Sequence, residues 1–171
     1  MTESSPYQDR YWKEFYELKV HVNYLEIYIE KTEKTDKIIN MFLAVTSSSS
    51  ICGWAIWSQY GFIWGIIIAL SQLLNAIKIF LPYRTRLKAL GNILKELEEL
   101  LVICEMKWFD VAEGRLCIEE INKLQFEIRG KKVKALNKYF GTTSLPVNNK
   151  FFNQAKELAN TYINNFYSKE K

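Results

Sequence analysis

From Ile38 to Trp57 the chain reads IINMFLAVTSSSSICGWAIW, a stretch of about 20 residues with no charge. As a helix it would run about 30 Å, the thickness of a bilayer's hydrocarbon core. Gly61 to Leu81, GFIWGIIIALSQLLNAIKIFL, follows and is apolar through its first half. Only Ser58-Gln59-Tyr60 separates the two segments, so they must run antiparallel. The pattern predicts a two-helix transmembrane hairpin over 38–82, with spans at 38–57 and 61–81. Thr46 and the four serines are tolerable in such a span because hydroxyls bond back to helix carbonyls. Trp54, Trp57, Tyr60, Phe62 and Trp64 crowd the turn, and Phe80 and Tyr83 mark the other end, as interfacial aromatic belts would.

Charge sets the expected orientation. Lys31, Lys34 and Lys37 precede the first span, Arg84, Arg86 and Lys88 follow the second, and the turn is uncharged. The positive-inside rule then puts both termini in the cytoplasm. Met1 to Lys37 lacks an early apolar core with a small-residue cleavage site, so the apolar region is expected to remain in the mature protein. Residues 1–82 carry 7 Lys/Arg against 8 Asp/Glu, whereas 83–171 carry 16 against 11. The basic excess therefore lies after the hairpin, where it attracts anions.

The flanking segments read as helices. Tyr11, Phe15, Leu18, Val22, Leu25 and Ile29 repeat at steps of four and three, which gives residues 1–37 an amphipathic helix beginning near Pro6. Nothing between Lys31 and Lys37 would break it before the first apolar segment. In 83–171, Leu87, Leu90, Leu94, Leu97, Leu101, Cys104, Trp108 and Val111 hold an a/d pattern, widened by Ile93, Leu100 and Ile103. So broad a stripe suits a bundle or a higher oligomer. A break is expected near Gly114. Cys117, Ile121, Leu124 and Ile128 resume helical spacing, Gly141 to Pro146 interrupts it, and Asn148 or Asn149 can cap a last helix. The fold expected is all-α: a membrane protein with a transmembrane hairpin and a cytoplasmic helical bundle, associating with itself.

Two groups of side chains stand out. Ser71, Gln72, Asn75 and Lys78 recur at steps of three and four on one face of the second apolar segment. Polar groups are costly against lipid, so this face needs protein or water. Copies arranged as a ring, a tetramer for example, would turn it toward a common axis and line a pore. Alternatively Lys78 snorkels to phosphates and the amides bind helices together. The second group is Arg129, Lys131, Lys132, Lys134 and Lys138, followed by Tyr139 and Phe140. Guanidinium and ammonium groups suit phosphates, and aromatic rings stack on bases, so a nucleotide or oligonucleotide is the ligand expected there. A solvated face or contact with anionic headgroups is the competing reading.

Catalytic chemistry is thin. His21 is the sole histidine, and Cys52, Cys104 and Cys117 have no metal-ligand spacing. No phosphate-binding glycine loop occurs. No enzyme, metal or cofactor is expected.

The layout resembles the SLATT family of two-transmembrane effectors from bacterial conflict systems. The likeness lies in the leading helix Tyr11 to Lys37, the paired apolar segments, YRTRLKALG opening a long helix, and LPVNNKFFNQAKELANTYINNFY from Leu145 to Tyr167. The resemblance implies an antiphage effector of the bacterial inner membrane. It would form an oligomeric channel that depolarises the cell, gated by a nucleotide or short single-stranded DNA from a partner nucleotidyltransferase, as in Hailong systems. The family places no functional residue on this chain. Competing expectations are a non-conducting scaffold that anchors a soluble partner, and a holin-like lysis protein.

Overall fold

The computed structural model describes residues 5–56, 60–80, 83–141 and 147–167, and within its helices the side chains of 47–56, 78–80 and 83–85 fall outside the description. Among the described residues the chain forms five helices: α1 (Pro6–Ile56), α2 (Gly61–Phe80), α3 (Tyr83–Ala112), α4 (Ile118–Phe140) and α5 (Asn149–Tyr167). They divide into a core unit, Met1–Ile29 with Lys88–Lys171, and a second unit, Glu30–Leu87. The all-α expectation holds, and α1 runs without a break from Pro6 into the apolar segment.

In the core unit α1 is the central helix, because its sequence is apolar on two faces. One face places Tyr11, Phe15, Leu18, Val22 and Leu25 against Leu90, Ile93, Leu97 and Cys104 of α3 and Ile121, Ile128 and Ala135 of α4. The other places Val20, Tyr24 and Ile27 against Ala155 and Ala159 of α5. The two alanines let α5 come close, and Asn23 Nδ2 donates to the Ala155 carbonyl at 3.2 Å. That bond satisfies an amide that is otherwise buried. Tyr11 donates its buried hydroxyl to the Cys104 carbonyl at 2.8 Å. Gln8 Nε2 donates to the Val111 carbonyl at 2.8 Å, an acceptor at the C-terminal end of α3 that also takes the Gly114 N–H at 3.2 Å.

Local signals mark the end of α3, both ends of α4 and the start of α5. Gly114 takes φ +67° just after α3, a left-handed conformation that a side chain would strain. Cys117 and Glu120 form a reciprocal cap at the start of α4, with Cys117 N–H donating to Glu120 Oε2 at 2.8 Å. Asn148 Oδ1 accepts from the Lys150 and Phe151 N–H groups and so caps α5. Gly141 ends α4 at φ +50°, while the rest of the predicted breaker, 142–146, lies outside the described residues. At the far end of α5, Tyr162 and Tyr167 both donate to Glu105 Oε1 at 2.6 Å and fasten the helix to α3.

The second unit corrects the sequence reading. Among the described residues no helix is long and apolar enough to cross a membrane, which overturns the two-helix transmembrane hairpin with spans at 38–57 and 61–81. The physical reason is interruption. In α2 the unbroken apolar run is Gly61–Leu70, about 15 Å of helix and half of what a hydrocarbon core requires; Ser71, Gln72 and Asn75 then follow. In α1 the apolar run from Ile38 contains Asn40 and stops at Thr46, and the residues before Ile38 are charged. Thr46 Oγ1 bonds back to the Phe42 carbonyl at 2.9 Å, as expected of a hydroxyl in such a helix. The predicted turn at Ser58 and Gln59, and the side chains of Cys52, Trp54, Trp57, Phe80, Tyr83 and Arg84, lie outside the described residues.

Trp64, Ile67, Ser71 and Leu74 of α2 are half-shielded at three- and four-residue spacing, and so are Ile39, Leu43 and Thr46 of α1. These are the facing positions of a helix pair. Other described apolar positions of α2 face outward, Phe62 at 82% exposure and Ile63, Ile66, Ile68, Leu70, Leu73 and Ile77 with it. Ile38, Met41, Phe42 and Val45 of α1 are exposed as well.

Two outcomes test the core unit. Phe15→Ala empties a site with no solvent exposure and is expected to destabilise the fold by about 3–5 kcal/mol in urea unfolding. Burial pushes the Cys104 thiol up to about 11, whereas Cys117 is exposed. In a Cys52→Ser background, a thiol reagent should therefore label Cys117 rapidly and Cys104 only after unfolding.

Candidate functional site

The chemistry of the core unit gathers around one buried carboxylate. Glu14 follows the apolar steps of α1 closely enough to be carried inside, and its side chain is 4% exposed. A carboxylate there needs compensation, and α4 supplies it. Arg129 donates from both Nε (3.2 Å) and Nη2 (2.8 Å) to Glu14 Oε2. Lys132, one turn along and itself 13% exposed, lies 3.6 Å from Glu14 Oε1. The hydrogen bonds to Glu14 raise the basicity of Arg129 further. Arg129 is half-exposed, and water screens its part of the interaction.

Beside this pair lies a cleft of about 350 Å³ between α1 and α4. Arg10, Lys13, Glu14 and Glu17 line it from α1, and Asn122, Gln125, Phe126 and Arg129 line it from α4. Helical geometry explains the set: 10, 13, 14 and 17 share one face of α1, and 122, 125, 126 and 129 share one face of α4. The walls carry three cations, two carboxylates, two neutral amides and an exposed phenyl ring. One turn beyond Glu17, His21 Nδ1 sits 2.7 Å from the Glu17 carbonyl; since a carbonyl only accepts, that nitrogen carries the proton. Crowding by protein atoms, and then Lys132, lowers the basicity of His21.

The basic cluster expected to hold a nucleotide divides between two directions. Arg129 and Lys132 turn inward to Glu14. Lys131 pairs with Glu127 at 2.8 Å on the same helix. Lys138 pairs with Glu96 of α3, whose carboxylate also accepts from Tyr139 at 2.7 Å. Lys134 is exposed and forms no ion pair among the described residues, acting on Glu96 only at longer range. Four of the five cations are thus engaged within the protein.

The polar stripe of α2 also divides. Ser71 is half-shielded and donates its hydroxyl to the Ile68 carbonyl at 2.8 Å. Gln72 and Asn75 are exposed, and the side chain of Lys78 lies outside the described residues. Among the described residues no group of His, Cys, Asp and Glu is placed to hold a metal ion.

Sequence reasoning passed over Arg10, Lys13, Glu14, Glu17, Asn122, Gln125 and Phe126. A signal existed for Glu14, a lone acid beside the apolar steps Tyr11–Phe15–Leu18, facing a basic pair spaced by three on a later helix. The amides and Phe126 carry no such pattern.

Replacing Glu14 by Ala leaves Lys132 buried without its partner, while Arg129 can turn to water. The expected loss is about 2–4 kcal/mol by urea unfolding. Glu14→Ala combined with Lys132→Met should recover part of it in a double-mutant cycle. No protein-family model, no curated protein and no solved structure matches this chain.

Proposed function

We propose that the protein is a self-associating effector that acts at a membrane surface, with the helix pair as its lipid-contacting part and the core unit as the part that receives a signal. The observation that carries this reading is the exposed apolar surface of the second unit, above all Phe62, Ile63, Ile66, Ile68 and Leu70. Single exposed leucines are ordinary, but a continuous surface of large aliphatic residues around a helix belongs in an apolar medium or between chains. The Gly61–Leu70 run is about 15 Å long, the depth of one leaflet's hydrocarbon, so the pair enters part of the bilayer and does not cross it. Gathering several copies would multiply the disturbance of that leaflet and raise its permeability. The exposed amides of Gln72 and Asn75 are available to bond between copies. The resemblance to SLATT effectors supports a place in bacterial antiphage defence, at the inner membrane, with growth arrest as the consequence.

Flotation of the full chain with vesicles of phosphatidylcholine and phosphatidylglycerol, followed by release of a trapped dye, tests this. The wild type should float and release dye with a steep dependence on protein concentration. Phe62→Ser, Ile66→Ser and Leu70→Ser together should abolish both, since these side chains lie outside the helix-pair seam. Flotation without release would favour the scaffold reading. A protein that stays with the aqueous fraction would remove the membrane from the account.

A further inference from the structure

We propose that the cleft between α1 and α4 binds a small anion that carries a planar, hydrogen-bonding ring. The wall chemistry leads there. Arg10 and Lys13 are exposed cations that form no ion pair among the described residues, so they are available to an anion. Arg129 spends Nε and Nη2 on Glu14, which leaves Nη1 outside the pair and holds the guanidinium plane still. A guanidinium fixed by a buried carboxylate loses little freedom when it meets a ligand. One turn before Arg129 on the same wall, with the guanidinium carbon 6.0 Å from its ring centroid, Phe126 is 60% exposed, a large ring facing solvent from a helix whose Ile121, Ile128 and Ala135 are buried. A planar ligand would cover it. Asn122 and Gln125 stand one turn before Phe126 and Arg129, and each offers a donor and an acceptor to a ring edge. Glu17 accepts from an amino or hydroxyl group.

Size narrows the class. Small-ligand sites span about 300–1,000 Å³, and this one, at about 350 Å³, takes a single ring with one charged group. Two chemistries share that description, a nucleoside monophosphate and an aromatic carboxylate. Charge agrees with either: with Arg129 balanced by Glu14, Arg10 and Lys13 outweigh Glu17 by one positive charge. The site's biological role rests on the core unit being where a signal is received. Binding itself needs no membrane, so its failure and the failure of the membrane reading are separate results.

Calorimetric titration of the full chain with cytidine monophosphate, 4-hydroxybenzoate and inorganic phosphate decides the matter. One of the two ring-bearing anions should bind, and bind more tightly than phosphate; which one does identifies the source. Phe126→Leu should weaken that binding about tenfold, the effect of losing a ring-stacking surface. Arg10→Gln with Lys13→Gln should weaken it too and flatten its dependence on salt. All three positions are exposed, so an unchanged urea midpoint in each variant confirms that the fold is intact. The proposal is overturned if neither ring-bearing anion binds at about 1 mM, if phosphate binds as tightly as both, or if Phe126→Leu binds like the wild type.

Discussion

Two-sided burial of α1 is the constraint on which the core unit depends. A surface helix of a small protein needs one apolar stripe, but the first half of α1 carries two. Tyr11, Phe15, Leu18, Val22 and Leu25 take α3 and α4, while Val20, Tyr24 and Ile27 take α5. A helix enclosed in this way has little room for charge, so the residues that remain polar on it are informative. Asn23 is satisfied by a carbonyl of α5, Tyr11 by a carbonyl of α3, and Glu14 by two cations of α4. Each of the three surrounding helices is tied to α1 by two polar contacts or more as well as by apolar packing. The packing supplies stability and the polar contacts fix the register.

The second unit has the opposite problem. Its two helix segments cover one side of each other and, among the described residues, leave most of their aliphatic surface open. Interior packing normally removes such residues from water at about 1.5–3 kcal/mol for each large side chain, and here that gain is not realised within the chain. The unit is therefore incomplete by itself, and the core unit is not. This contrast, more than any single residue, is why the function is sought in association.

Electrostatics links the two halves of the core unit's chemistry. The basic cluster at 129–138 looks in sequence like one cationic patch, yet four of its five cations are internally matched: Lys131 with Glu127, Lys138 with Glu96, and Arg129 and Lys132 with Glu14. The cations left over on the described surface of the cleft, Arg10 and Lys13, belong to α1, the less basic part of the chain. An anion would thus be drawn toward residues that a count of charge along the sequence does not select.

The helices themselves were legible in the sequence because their causes are local. Pro6 opening α1, the break at Gly114, the Asn148 cap and the heptad steps of α1 and α3 all follow from propensity and spacing over a few residues. The second buried face of α1 was harder to see, because Val20, Tyr24 and Ile27 interleave with the first and blur its period. Membrane spans were misread because a long uncharged stretch looks continuous in one dimension, whereas the apolar run of α2 stops at Ser71 and that of α1 at Thr46. The cleft was not legible at all. Its residues lie on two helices more than a hundred positions apart, and nothing local at Lys13 or Phe126 announces that they will meet. Spacing determines which helices form and which of their faces are apolar; only the packing of α4 on α1 decides that Glu14 is buried, that Arg129 turns inward to it, and that a ligand-sized space opens beside them.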